Sequence, residues 1–266
     1  MGKITIQDKK VIFQRKDEYM VIEPYGENCL RCRFTRNHQV MDEKWTLLDP
    51  VTKDSCVIEG DEQTAIIKNG LVSATIEAGN YWYGGVVSYY KKDKKVLHTK
   101  FEGDHMMRNQ HVEGNHYQIK MIFESNPGEH FYGLGQEQED QFDRKGSTCN
   151  LFHHNTKSAM PVIYSSLGYG FFWNNPAPGR CETTNNHTMW VAESAYQEDY
   201  LVYAGETPAD VLKQYSDLTG YAPKFPEWAA GFWQSRLRYE SQDELLEVAR
   251  EYKRLGVPIK AIVIDY

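Results

Sequence analysis

The C-terminal stretch constrains the fold most. Glu227-Trp-Ala-Ala-Gly-Phe-Trp-Gln-Ser-Arg236 is apolar and aromatic, a helical pattern follows, and Ile259-Lys-Ala-Ile-Val-Ile-Asp-Tyr266 is a second apolar run. Strand, amphipathic helix and strand together read as a βαβ unit, the opening of a parallel α/β domain. The strands are expected at about 229–234 and 259–265, and the helix at 241–255. Ser241-Gln-Asp-Glu244 reads as a capping box, and Gly256-Val-Pro258 ends the helix. One βαβ unit cannot cover its own sheet, so the pattern predicts the front part of a larger protein. Its strands would keep unpaired edges and uncovered apolar side chains. Apolar burial is worth about 25 cal/mol per Å², so a loose tail is expected, disordered from about 240 or paired through its edge to another chain.

Upstream, the hydrophobic period is two. Alternating runs at 10–15, 20–24, 30–35, 63–68, 71–77, 85–90, 118–124, 168–173, 189–194 and 199–203 read as short strands separated by Gly and Asn turns. Asn69-Gly70 between two such runs predicts a two-residue hairpin. The expected fold class is mainly β: an antiparallel β-sandwich followed by the first βαβ of a parallel α/β domain. Thr207-Pro-Ala-Asp then opens a helix, with Thr207 as cap, Pro208 in the first turn and Val211, Leu212 and Tyr215 as its stripe, up to Gly220. Tyr221-Ala-Pro-Lys-Phe-Pro226 is the linker, giving domains 1–220 and 221–266.

Composition narrows the partners. A net charge of −7 with no basic face argues against nucleic acid, and no run is long enough to span a membrane. The N-terminus has no signal-peptide core, so a cytoplasmic protein is expected. Lys91-Lys-Asp-Lys-Lys95 reads as a solvated hairpin tip. Five cysteines are scattered, and Cys29 and Cys32 sit three apart on a strand, facing opposite ways. No metal site or cofactor is expected. The 18 Tyr and 6 Trp suit sheet packing, and also suit surfaces that meet the apolar face of a sugar ring.

Asp265 follows Ala261-Ile-Val-Ile264, a run suited to a strand buried on both faces. Ligands of parallel α/β domains bind beyond the carboxyl ends of the strands, which makes Asp265 a candidate; capping of the next loop is the alternative. Arg236 and Arg238 leave the first strand at the same end. Gly133-Leu-Gly-Gln-Glu-Gln138 lacks the third glycine of a dinucleotide fingerprint and reads as a tight turn. Glu137, Glu139 and Asp140 after it read as a solvated loop, and His153-His154-Asn155-Thr156 as loop chemistry rather than metal ligation.

The chain resembles glycoside hydrolase family 31, the retaining α-glucosidases and α-xylosidases, along nearly its whole length. The match runs through Phe131-Tyr-Gly-Leu-Gly135, Gly168-Tyr-Gly-Phe-Phe-Trp-Asn-Asn-Pro176, Gly205-Glu-Thr-Pro208, Leu218-Thr-Gly220, Gly231-Phe-Trp-Gln-Ser-Arg236 and Ile262-Val-Ile-Asp265. The resemblance implies a galactose-mutarotase-like sandwich before a (β/α)8 barrel, with an oligosaccharide as substrate and a homo-oligomer as a further expectation. It implies that Asp265 hydrogen-bonds hydroxyls of the sugar in subsite −1, that Arg238 approaches the same sugar, and that the loop around Asn155 helps close the site, although family members often carry Asp there. It also implies that the nucleophile and the acid/base carboxylates come from barrel strands beyond Tyr266, so no residue of this chain is assigned a catalytic role and the chain alone is expected to be inactive. A carbohydrate-binding or assembly sandwich acting alone is the alternative, and a sugar-epimerase-like sandwich a weaker one.

Overall fold

The computed structural model describes residues 2–51, 56–79, 85–100 and 109–266. They divide into two compact units, 1–220 and 221–266. The first unit begins with strands β1 Lys3–Gln7, β2 Lys10–Arg15, β3 Glu18–Pro24, β4 Cys29–Thr35, β5 Val57–Gly60, β6 Thr64–Asn69 and β7 Val72–Glu77. It continues through β8 Val86–Lys91, β9 Lys94–His98, β10 Asn109–Glu113, β11 His116–Glu124, β12 Phe131–Gln136 and β13 Thr148–Leu151. It closes with β14 Ser158–Ser165, β15 Tyr169–Trp173, β16 Gly179–Thr183, β17 His187–Ala195, β18 Glu198–Ala204 and helix α1 Pro208–Thr219.

Three antiparallel sheets form this unit. Eight strands run in the order β1-β2-β3-β4-β18-β15-β14-β12, with five-stranded sheets β10-β11-β17-β16-β13 and β5-β6-β7-β8-β9 beside them. The main core gathers Phe13, Leu30, Phe171 and Trp173 of the large sheet, Phe123 and Trp190 of the second and Ile67 and Tyr89 of the third. A second core lies on the other face of the large sheet, where Cys29, Phe172, Leu201 and Tyr203 meet Val211 and Leu218 of α1. Covered on both faces, β4 and β18 are buried at every residue. Cys29 and Cys32 fall into different cores, as strand alternation requires, and neither forms a disulfide.

Several local expectations shift. Asn69 is the last residue of β6 rather than a turn residue, because its amide donates to the carbonyls of Gly26 (2.9 Å) and Cys29 (2.7 Å). The hairpin loop is therefore Gly70-Leu71, with Asn69 opposite Val72 and Gly70 at a φ of 62°. Gly133-Leu-Gly135 is no tight turn but an irregular stretch of β12 against β14. A Cβ at Gly133 would lie 2.5 Å from the Val162 carbonyl oxygen, and one at Gly135 would lie 2.0 Å from that of Ser158, so the close strand approach needs both glycines. Lys91 and Lys94 do flank a hairpin turn. In α1, Thr207 and Asp210 form the capping box, but the buried stripe is Val211, Gln214 and Leu218, with Leu212 exposed.

The second unit comprises a 3-10 turn, Glu227–Ala230, then β19 Phe232–Arg236, α2 Gln242–Arg254 and β20 Ile259–Ile264. Strands β19 and β20 pair in parallel, Gln234 with Ile262 and Arg236 with Ile264. The first strand starts later than expected because Glu227–Ala230 closes a helical turn, with the Gly231 amide donating to the Trp228 carbonyl at 3.1 Å. Residues after 240 are not disordered: capping and strand pairing are enough to order them locally. Ser241 accepts from the Glu244 amide at 3.2 Å, but the capping box is only half made, since the Glu244 carboxylate takes the Glu240 amide at 2.8 Å. None of the described residues of this unit is buried, and Phe225, Trp228, Phe232 and Trp233 are all exposed. Strand β20 therefore has neither face buried, contrary to the reading of its apolar run.

Candidate functional site

Parallel pairing decides where the C-terminal candidates lie. Because β19 and β20 run the same way, their carboxyl ends coincide at Arg236 and Ile264. Asp265 is the residue after β20, and Arg238 lies two residues beyond β19. Both are exposed. Arg236 is not free to meet a ligand there: its guanidinium forms an ion pair with Glu244 in the first turn of α2. The Glu240 amide and Arg236 together hold the Glu244 carboxyl below its ordinary range. Behind this end, the Tyr252 hydroxyl donates to Gln234 at 2.5 Å, tying α2 to the middle of β19. The two candidates therefore stand at one end of the strand pair with their side chains unengaged by the helix.

Asn155 belongs to the other unit. It sits at the tip of a turn closed by the Lys157 amide on the His154 carbonyl at 3.0 Å, and it is exposed. Thr156 beside it holds a φ of 70°. A β-branched residue rarely adopts that region, so the turn is held by its surroundings. Lys157 supplies the hold. Its side chain is 7% exposed and forms an ion pair with Glu137, itself 15% exposed. Glu137 is thus no solvated loop residue; Glu139 and Asp140 are exposed, as expected. The sequence carries no local signal for this pair, since Glu137 directly follows β12 and Lys157 directly precedes β14, and only the pairing of those strands brings them together. His153 takes the Ala159 amide at 3.3 Å, which anchors the same turn. Among the described residues no group of three or more His, Cys, Asp or Glu could hold a metal ion.

A further group of buried polar side chains in the sandwich gathers around β4. Arg31 and Arg33 alternate with apolar neighbours, a pattern that ordinarily faces water, yet they are 0% and 3% exposed. Asp199 of β18 receives Arg31 Nε at 2.9 Å and the Asn174 amide at 3.0 Å. Burial pushes the Asp199 carboxyl up despite the attraction of Arg31, while that same carboxylate holds the Arg31 guanidinium more firmly protonated.

Comparison with known proteins places this architecture. The profile of the glycosyl hydrolase 31 N-terminal galactose mutarotase-like domain matches residues 19–182, and that of the glycosyl hydrolases family 31 TIM-barrel domain matches residues 222–266. An uncharacterized family 31 glucosidase of Pseudescherichia vulneris is 34% identical over 288 residues, covering 100% of this chain and 53% of the relative. An alpha-xylosidase of Saccharolobus solfataricus is 37% identical over 159 residues, 56% of this chain and 22% of that protein. Among solved structures, a GH31 alpha-xylosidase from a soil metagenome, complexed with xylose, superposes with a TM-score of 0.87 at 36% identity, covering 99% of this chain and 41% of the other. The chain thus spans about half the length of the first of these relatives and less of the others. With matched segments in both units and the fold in common, the chain belongs to glycoside hydrolase family 31.

Proposed function

We propose that the chain is the N-terminal part of a retaining α-glycosidase that removes terminal α-linked glucose or xylose from oligosaccharides. Residues 1–220 are its sandwich domain and 221–266 the opening of its catalytic barrel. The observation that carries this reading is Asp265 directly after β20, at the same carboxyl end of a parallel pair beyond which Arg238 follows β19 by two residues. Barrels of this kind bind substrate at that end. Asp265 accepts hydrogen bonds from sugar hydroxyls in subsite −1, Arg238 approaches the same sugar, and the Asn155 turn, pinned by Lys157 and Glu137, helps close over it.

Retaining hydrolysis needs a nucleophilic carboxylate and an acid/base carboxyl roughly 5–5.5 Å apart across the scissile bond. In this reading both come from barrel strands that follow residue 266, and this chain contributes substrate contacts rather than bond-breaking groups. The protein works in the cytoplasm, forms a homo-oligomer and needs no cofactor, since both reacting groups are carboxyls.

The test compares the 266-residue chain with the same chain continued through the barrel of the Pseudescherichia vulneris relative, on p-nitrophenyl α-xyloside and α-glucoside. The continued chain should turn over and the short one should not. Asp265→Ala in the continued chain should lower kcat/KM about 10- to 100-fold, the worth of a charged hydrogen bond to a hydroxyl. Turnover by the short chain, or an unchanged kcat/KM in Asp265→Ala, would refute the assignment.

A further inference from the structure

A cavity of about 330 Å³ opens in the sandwich unit between the 41–45 loop, the end of β15 and the β17–β18 turn. Its volume falls within the range of small-molecule sites. Trp45, Glu43, Asn174, Asn175, Tyr196 and Gln197 line it.

The walls are built rather than incidental. Arg33 Nη1 donates to the Met41 carbonyl at 2.9 Å, and Arg31 Nη1 donates to Asp42 at 3.0 Å. Gln197 accepts from the Met41 amide at 2.7 Å and donates to its carbonyl at 3.0 Å. The loop is therefore fixed from beneath by three side chains that are each more than nine-tenths buried.

Trp45 stands at the rim, 59% exposed, at a φ of 53°. A bulky residue at positive φ is an outlier, and such outliers persist where their surroundings impose them. Here the Lys44–Leu47 turn, closed at 2.8 Å and anchored by buried Leu47, imposes it. The result is an indole face held beside the cavity instead of folded into a core.

The polar lining is rich in acceptors. Asn174 donates its amide to the Asp199 carboxylate at 3.0 Å, and Asn175 donates to the Asp199 carbonyl at 2.9 Å. Both orientations turn the amide hydrogens inward, and among the described residues no donor reaches either side-chain oxygen. Neither Lys nor Arg lines the cavity, which disfavours an anion. An aromatic plate over acceptors, with His116 but neither Lys nor Arg among the described lining residues, suits a neutral ring that has an apolar face and several hydroxyl donors.

We propose that this cavity is a carbohydrate site of the sandwich unit, taking one pyranose residue of a neutral oligosaccharide. The sugar lays its apolar face on Trp45 and donates its hydroxyls to Asn174, Asn175 and Glu43. The site lies in a different unit from Asp265 and does not depend on the glycosidase reading.

The test is ligand-observed NMR titration of the full 266-residue chain with maltotriose, methyl α-xyloside and, separately, putrescine. Trp45→Gly removes the indole and suits the positive φ, so it should fold as well as the parent, checked by its urea midpoint. Saturable sugar binding should weaken about tenfold or more in Trp45→Gly, the worth of an aromatic stack. It should survive in part in Trp45→Phe. Absence of saturable sugar binding, equal binding by Trp45→Gly, or saturation by putrescine in place of sugar would each overturn the proposal. Failure of the barrel-complete enzyme would leave this result untouched.

Discussion

Replacing Asp199 by Asn should destabilise the sandwich unit far more than its isosteric size suggests. Asp199 is 1% exposed, and its carboxylate meets the guanidinium of Arg31, whose side chain is fully buried. An Asn would present an amide N–H or a neutral oxygen where Arg31 Nε and Nη2 both donate, leaving a buried cation without its buried counter-charge. Asp42 remains at 3.0 Å, but its side chain is 67% exposed and water weakens its attraction. Breaking one side of a buried pair costs about 3–5 kcal/mol. For a unit of this size each kcal/mol lowers Tm by about 2–4 °C, so a fall of about 6–20 °C is expected. Urea denaturation followed by tryptophan fluorescence reads this unit, since Trp173 and Trp190 are buried in its core. The midpoint should drop with an unchanged slope. Desolvating two charges offsets much of their mutual attraction, so the double replacement Arg31→Met with Asp199→Leu should recover most of the loss. A loss below about 1 kcal/mol in Asp199→Asn, against the 3–5 expected, would refute the reasoning, as would a double variant no better than the single.

Two further outcomes follow from other parts of the sandwich. Gly179→Ala would place its Cβ 1.8 Å from the Val191 carbonyl oxygen, main chain that cannot move without breaking the β16–β17 pairing, and should cost about 2–3 kcal/mol in the same urea assay; under about 0.5 would contradict it. Partial burial raises the Asp143 carboxyl, but the Lys145 amide, the His130 ring and the Phe131 amide outweigh that and hold it below its ordinary range. The unfolded chain then binds the extra proton, so this stabilisation is complete above about pH 4 and is lost as pH falls through the folded value. Asp143→Asn should flatten the midpoint-versus-pH curve below that point, and an unchanged slope would count against it.

The local grammar was legible. Period-two alternation placed β2, β3, β4, β7, β15 and β18 to within two residues, and Thr207 with Pro208 set the start of α1. The glycine and aromatic motifs by themselves carry the family resemblance. The misses share one cause. Asn69 left its expected turn because of carbonyls some forty residues away, and the Gly133–Gly135 segment became a strand because β14 lies close against it. Glu137 looked solvated until Lys157 was brought to it.

Neighbours along the chain set the strand period, the helix caps, the change from alternating strands to a βαβ unit and the position of Asp265 at a strand end. Which polar residues go inside depends on contacts far apart in the chain. Arg31 and Asp199 are 168 residues apart and meet because the large sheet sets β18 beside β4. The same sheet order gathers the 41–45 loop, Asn174, Asn175 and Gln197 around one cavity. Conformational preference acts over a few residues, whereas burial of charge depends on which strands pair, and pairing is fixed by the packing of the whole core.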